Sequence, residues 1–556
     1  MIPRTFVCQA AILAAVCASP MIAAAAERPL PAQFEAKVHP LPRPMEKASP
    51  AKLLERAARA EQAGQWEAAF AAYCELPVAE RTVPEVRERV NAALRRVQQL
   101  RRHRDSGYQQ FTGRIPTNDA INLFAEVAAK VPALFADGTK ATPQHLWAHG
   151  IEELDRALTN PTFRQFSLEN AATAKVAEFR RELRGTWMKR PVPDAREARM
   201  ALKSLLAAAD DTLKVRVPAA LAIEVVSGAC SGLDEYTVFL NPSQAIEPLE
   251  TTNLASYGLT VRMVNGLLAV DAVQPGSWVS FHAPQVMKGT GILKVNGRRI
   301  TGPAVLGAAL QSPVGGIVEL ELAEAARPEE AVVRLPLQLP TVWHRVVGSK
   351  DGIRYIRIGE FQPTTPRDLD LALNALHMQD VRAIVLDLRG NRGGSFTAAV
   401  EVAKRFLPAG LIVTTQGQVG EVADRVFSSD FGMRANELPL VLLIDSETAS
   451  AAEVVAAAIR DNQQRHGRAA LVGMPTFGKG TIQYPLKLAA GDDPDGKSGT
   501  VRVTIARLIA PNGTAINGTG ITPEFLVPDA ARQWEVAIER AIEMLQPMSG
   551  TIPPSQ

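Results

Sequence analysis

The feature that most restricts this fold is the regular alternation of strand-like and helix-like segments after Asp351. Ile353–Ile358, Ala383–Leu388, Leu438–Asp445 and Ala469–Val472 are short runs rich in Ile, Val and Leu, each the length of one strand. Arg367–Met378, Phe396–Leu407 and Ala449–Asp461 lie between them with helical periodicity. Such alternation predicts an α/β core with a largely parallel sheet and helices on its faces. Thr500–Ile509 adds a further β run, and Ala530–Leu545 closes the pattern as an amphipathic helix.

At 556 residues the chain is too long for one core, and three or four domains are expected. Residues 1–26 read as a secretory signal: Arg4 supplies the charged start, Phe6–Ala18 the apolar stretch and Ala23–Ala26 the small residues for cleavage. Val16 precedes Cys17 where a lipoprotein signal needs a small residue. No later run has the length and apolarity of a membrane span, so export to the periplasm or another extracytoplasmic site is expected, without an integral anchor. Residues 27–50 read as a Pro- and Ala-rich linker, and residues 51–215 as an all-α region.

Residues 216–256 would begin the core, and residues 257–340 carry short β runs with Gly and Pro punctuation. Residues 341–530 would form the α/β core and residues 531–556 a terminal helix and tail. Within the all-α region, Leu53–Tyr73 resembles a single tetratricopeptide unit; about three are needed to bury a core, so no repeat domain is expected. The basic run Arg101-Arg102-His103-Arg104 reads as a solvated helix face. A net charge of +3 argues against nucleic acid as the main partner. Cys74 and Cys230 read as thiols in different domains.

Two segments carry chemistry. Pro439–Asp445 reads as a buried strand that ends in the polar turn Ser446-Glu447-Thr448, and Ser450 follows at the start of an alanine-rich helix. A helix N-terminus offers free N–H groups and partial positive charge, which suits an alkoxide. The Ala451 N–H could bind a tetrahedral oxyanion, although taken alone this turn is accounted for more simply by Ser450 or Thr448 as a capping residue. One helix and one strand later, Lys479 stands between Gly478 and Gly480, and the strand-like Thr481–Tyr484 puts Thr481 and Gln483 on its face. A lysine acting as base near neutral pH must fall from its ordinary value of about 10.4, a cost of roughly 4–5 kcal/mol that apolar burial can supply. Glu453, one turn past Ser450, would spoil this by pairing with the ammonium. The glycines of Asp387–Gly394 permit backbone N–H groups to face a ligand, so Gly393 and Gly394 are candidates for the second oxyanion donor.

Gly473–Gly480 also approaches a phosphate-binding loop. Gly480 stands where that loop needs a hydroxyl, and a strand follows where it needs a helix. No cluster with metal-ligand spacing and no cofactor motif is present in the sequence.

In this order, Leu233-Asp234, the block from Tyr257 to about Leu339, Ile384–Gly394, Thr448-Ala449-Ser450-Ala451-Ala452-Glu453, Thr476–Gln483 and Gly520-Ile521-Thr522-Pro523 resemble the C-terminal processing peptidase family, tail-specific serine proteases with an inserted PDZ domain. The resemblance spans about residues 228–528. It implies a crotonase/ClpP-like α/β protease core and a PDZ-like domain. It implies Ser450 as nucleophile, Lys479 as general base, Gln483 as its orienter, and oxyanion donors from Ala451 and the Gly393-Gly394 turn, with no metal or cofactor. It further implies that Gly258, Leu259, Thr260 and Val261 bind a substrate's C-terminus as an added strand. Ala452 stands where the family often has a second serine, and Thr260 where a glycine is common. Partners would be protein or peptide substrates bound through their C-termini, with the N-terminal helices available for self-association. A catalytically silent PDZ-containing binding protein is the alternative, and a crotonase-like acyl-group enzyme would need a coenzyme-A site that no motif supplies.

Overall fold

The computed structural model describes residues 49–81, 83–245, 254–264, 267–273, 277–300, 303–310, 317–323, 331–336, 341–347, 352–377, 381–429, 438–466, 468–489 and 498–545. The expected signal (1–26), nearly all of the linker (27–50) and the tail beyond residue 545 lie outside them. The chain divides into two compact units, one running to Phe239 and also taking Val501–Val503, the other running from Leu240.

The first unit is helical, and its helices pack by glycine contact and by a buried charge cluster. We label three of them α1 (Pro84–Arg104), α2 (Pro143–Ala157) and α3 (Pro218–Ser231). Thr142 caps α2 by accepting the His145 N–H. α2 and α3 meet closely: a Cβ at Gly228 would lie 2.3 Å from Glu153 Cβ, and one at Gly150 2.6 Å from Val225 Cγ1. α3 is apolar nearly all round, with Glu224 fully buried in it. A carboxylate in such a helix demands a cation. Arg102 supplies it, with Nε on Oε1 and Nη2 on Oε2 at 3.0 Å each. The Tyr108 hydroxyl and the Gln99 amide also donate to Glu224, and His103 Nε2 lies 3.1 Å away. Burial alone would push Glu224 up, but Arg102 and His103 hold it far below the ordinary carboxylate range.

Three expectations change here. Arg102 and His103 turn inward, so the basic run is not one solvated face. The helical packing also continues through α3, past the expected boundary at residue 215. Cys74 and Cys230 form no disulfide and lie in this same unit rather than in different domains.

In the second unit, Leu259–Val264, Leu267–Val273, Gly291–Val295, Ile317–Leu322 and Val332–Pro336 form an antiparallel sheet in chain order, with Pro303–Leu310 a helix. Their inward residues, among them Leu259, Val270, Ile292, Val318 and Leu335, make a separate small core.

The α/β core follows. Its strands are β1 (Val342–Val347), β2 (Ile353–Ile358), β3 (Ala383–Asp387), β4 (Leu440–Ile444), β5 (Ala469–Gly473) and β6 (Phe525–Leu526). They pair in the order β6-β5-β4-β3-β2-β1, parallel throughout except for the antiparallel pair β1–β2. Alternate residues Tyr355, Val385, Leu443 and Val472 face one side, where α5 (Ala530–Leu545) covers them with Ala537 and Ala541. α4 (Ala451–His466) packs against β5 as well. Cover on both faces explains why β3 and β4 are wholly buried. The expected terminal helix is therefore part of the core sheet's packing. Thr481–Lys487 belongs to a second, antiparallel layer through its pairing with Thr500–Ile509.

Removing one partner from a buried, hydrogen-bonded ion pair leaves the other charge stranded. Glu224→Ala is expected to destabilise the helical unit by about 3 kcal/mol or more, read as a lowered urea midpoint of the helical circular dichroism signal at unchanged slope.

Candidate active site

The carboxyl ends of β3, β4 and β5 lie side by side, and each runs into a turn: 388–395 after β3, 445–450 after β4, and 474–480 after β5. In open α/β sheets this edge is where ligands bind.

Asp445 ties the first two turns together. Its Oδ1 accepts the N–H groups of Glu447, Thr448 and, across the gap, Gly390. Thr448 Oγ1 donates to the Leu388 carbonyl at 2.9 Å, and the Ala449 N–H donates to the Asn391 carbonyl at 2.9 Å. The third turn joins through the Phe477 N–H on the Thr448 carbonyl.

Ser450 emerges from this braced turn with φ +56°, in the left-handed region. A non-glycine residue there costs roughly 1–2 kcal/mol. Its Oγ bonds no described residue, and α4 starts one residue later. Ser450-Ala-Ala-Glu453 has the spacing of a capping box, but only the glutamate plays its part: Glu453 Oε2 accepts the Ser450 N–H at 2.8 Å.

The same carboxylate gathers the third turn. Oε2 also accepts the Lys479 N–H at 2.8 Å, and Oε1 accepts the Gly478 N–H at 2.7 Å and the Thr476 hydroxyl at 2.5 Å. The backbone nitrogens of Ser450 and Lys479 thus share one acceptor oxygen, which brings the two candidate residues together. Lys479 is 6% exposed. Glu453 meets it through the backbone N–H. Burial pushes the Glu453 carboxyl up to about 7, against four hydrogen bonds that favour its charged form. Raised in this way, it stabilises the fold fully below 4.5, and that contribution is lost as pH rises through about 7.

The 388–395 turn reaches Ser450 from the other side. A Cβ at Gly393 would lie 2.7 Å from Ser450 Cβ and 2.9 Å from the Ala451 nitrogen, so only glycine fits (φ +103°). The Gly393 N–H donates to Asn391 Oδ1 at 2.9 Å. The N–H groups of Gly394 and Ala451 bond no acceptor among the described residues. Gln483, 7% exposed on Thr481–Lys487, donates its amide to Thr481 Oγ1 at 2.7 Å. Gly258 has φ +84° and leads into Leu259, Thr260 and Val261 on the first strand of the antiparallel sheet, with a register shift between Thr260 and Val261. Among the described residues no group of His, Cys, Asp and Glu could hold a metal ion.

Residues 352–527 match the family described as Peptidase family S41. The chain is 30% identical over 328 residues to a carboxy-terminal-processing protease of Bartonella bacilliformis, an alignment covering 56% of this chain and 72% of that protein. The chain belongs to peptidase family S41. It is a serine-type peptidase of the carboxy-terminal-processing group. It is also 32% identical over 317 residues to the chloroplastic carboxyl-terminal-processing peptidase 1 of Arabidopsis thaliana, covering 54% of this chain and 62% of that one.

In this S41 chain a second acid supports the site from behind. Asp387, fully buried at the end of β3, accepts the Arg389 N–H, Nε and Nη2 and the Tyr355 hydroxyl, with Arg357 Nη1 at 3.1 Å. Arg389 Nη1 continues to the Ala530 carbonyl and Gln533 Oε1 of α5. The sequence offers Asp387 and Asn391 only as members of the glycine-rich turn, and Asp445 only as the end of its strand, with no partner for any of them. The acid ending a buried strand beside Arg389 was the available signal for Asp387, and the S-x-x-E spacing was the one for Glu453.

Burial raises the Asp387 carboxyl, but Arg357 and Arg389 outweigh it and hold it down at about 2. Its stabilisation is therefore complete above 3.8 and is lost as pH falls through about 2. Asp387→Asn is expected to lose at least roughly 2 kcal/mol at neutral pH and to flatten this acid limb, as measured by urea unfolding across the acid range.

Proposed function

We propose that this chain is an exported serine endopeptidase that cleaves protein substrates near their C-termini with Ser450 as nucleophile and Lys479 as general base. The observation that carries it is the pairing of a strained serine, its hydroxyl unbonded, with a buried lysine whose backbone hangs on the same carboxylate oxygen. The curated relatives, named as carboxyl-terminal-processing proteases, support the substrate class.

Neutral Lys479 takes the Ser450 Oγ proton as Oγ attacks the peptide carbonyl carbon. The oxygen becomes an oxyanion, met by the Ala451 N–H at the start of α4 and the Gly394 N–H. Gly393 lends the close approach that lets the turn reach the serine, while its own N–H is held by Asn391. The C–N bond then breaks and the Lys479 ammonium protonates the departing amine, leaving an acyl-enzyme. Water, deprotonated by Lys479, attacks the ester carbon; collapse of this second intermediate returns the proton to Ser450 Oγ and frees the acid product. Gln483, whose amide nitrogen is held by Thr481, is assigned to orient the lysine through its amide oxygen.

The PDZ-like sheet of residues 257–340, with Gly258–Val261 at its first strand, is assigned to capture of the substrate's C-terminus and gating of the cleft. Its antiparallel edge suits a peptide that adds as a strand. The signal-like residues 1–26 support export.

Ser450→Ala and Lys479→Ala are each expected to reduce hydrolysis of an unstructured peptide by at least about a thousandfold with unchanged circular dichroism. Turnover retained in either variant rejects the dyad. Wild-type protein that binds C-terminal peptides and cleaves none of them, read by mass spectrometry, favours the silent binding protein.

A further inference from the structure

We propose that Glu453 is a positioning residue for the Ser450–Lys479 pair, its carboxylate being the shared acceptor that fixes the nucleophile's backbone to the base's backbone. This rests on the Ser–Lys reading above.

The geometry divides the carboxylate into two jobs. Oε1 holds the Thr476 hydroxyl and the Gly478 N–H, which set the third turn. Oε2 holds the N–H groups of Ser450 and Lys479. Four donors fill the lone-pair positions of both oxygens. Only a carboxylate satisfies them. A glutamine would turn its NH2 group either at the N–H groups of Ser450 and Lys479 or at the Gly478 N–H, so at least one backbone donor is opposed whichever way it turned.

A purely structural origin accounts poorly for this residue. Glu453 is fully buried, and all four partners that hold it are uncharged. Burying such a carboxylate is costly, and its ionisation lowers fold stability as pH rises towards 7. Nor is helix capping the reason. The serine half of the capping box is not made, and the hydroxyl it would use stays free for chemistry. What the carboxylate secures is the left-handed Ser450 and its register with Lys479. An error of about 1 Å in such a register can cost a hundredfold in rate.

The test uses the full-length chain, an unstructured peptide substrate and a fluorophosphonate that labels the nucleophilic serine. For Glu453→Gln, kcat is expected to fall at least about a hundredfold with KM within about threefold. Labelling of Ser450 should slow in parallel, with the far-ultraviolet dichroism unchanged. Glu453→Asp keeps the charge but is too short to serve both pairs of donors, so a loss of at least about tenfold is expected. A Glu453→Gln enzyme with kcat and labelling within about threefold of wild type overturns the positioning role. Should that variant not fold, Glu453→Asp decides, and wild-type turnover in it overturns the role equally. Wild-type protein that is never labelled at Ser450 sinks the Ser–Lys pair itself, and the positioning role with it. Labelling of the wild type separates that failure from this one.

Discussion

Everything at the sheet edge depends on one backbone constraint: a non-glycine residue, Ser450, is held at φ +56°. The conformation is unfavourable by itself, so the surroundings must over-determine it. They do so from three directions. Asp445 and Thr448 brace the chain before the serine, Gly393 packs against its Cβ, and Glu453 anchors its N–H from the helix that follows. Parallel strands make this possible, because β3, β4 and β5 all deliver their turns to the same edge.

Polar groups in this region are arranged to be acceptors for backbone N–H groups rather than partners for side-chain cations. Asp445 Oδ1, Asn391 Oδ1 and Glu453 together take N–H groups from all three turns. Charge-assisted bonds of this kind are stronger than neutral ones. Asp387, which sits one layer further in, instead binds two arginines, and Glu447 pairs with Arg392 across the first two turns. The division is sensible: ion pairs support the turns from beneath, and backbone acceptors shape the surface that meets a substrate.

Much of this was legible in the sequence. β3 and β4 are so apolar that their burial could be read directly, and Ala530–Leu545 matched its helix because its amphipathic period is clean. The serine and the lysine stood out through their turns. What sequence could not give was the partner of each buried polar group, since those partners lie far apart in the chain. Glu224 finds Arg102 across 122 residues and Gly390 finds Asp445 across 55. Arg102 thus looked like one of several solvated basic residues, although a lone acid in an apolar helix implied a buried cation somewhere. Glu453 was visible only as a threat to Lys479. Its role as a four-donor acceptor needs the third turn in place. The Asn391 bond to Gly393 likewise separates two neighbouring glycines that sequence treats alike.

The link from Arg389 to Ala530 and Gln533 has a consequence for the order in which the molecule is made. The turn after β3 is synthesised early in the core, yet the groups that hold its arginine from outside belong to the last helix. That helix also covers Tyr355, Val385 and Leu443. Without that helix one sheet face is bare, and the Arg389 side chain keeps only its bonds to Asp387. The bracing of the turn beside the serine thus draws on a helix 141 residues further along the chain.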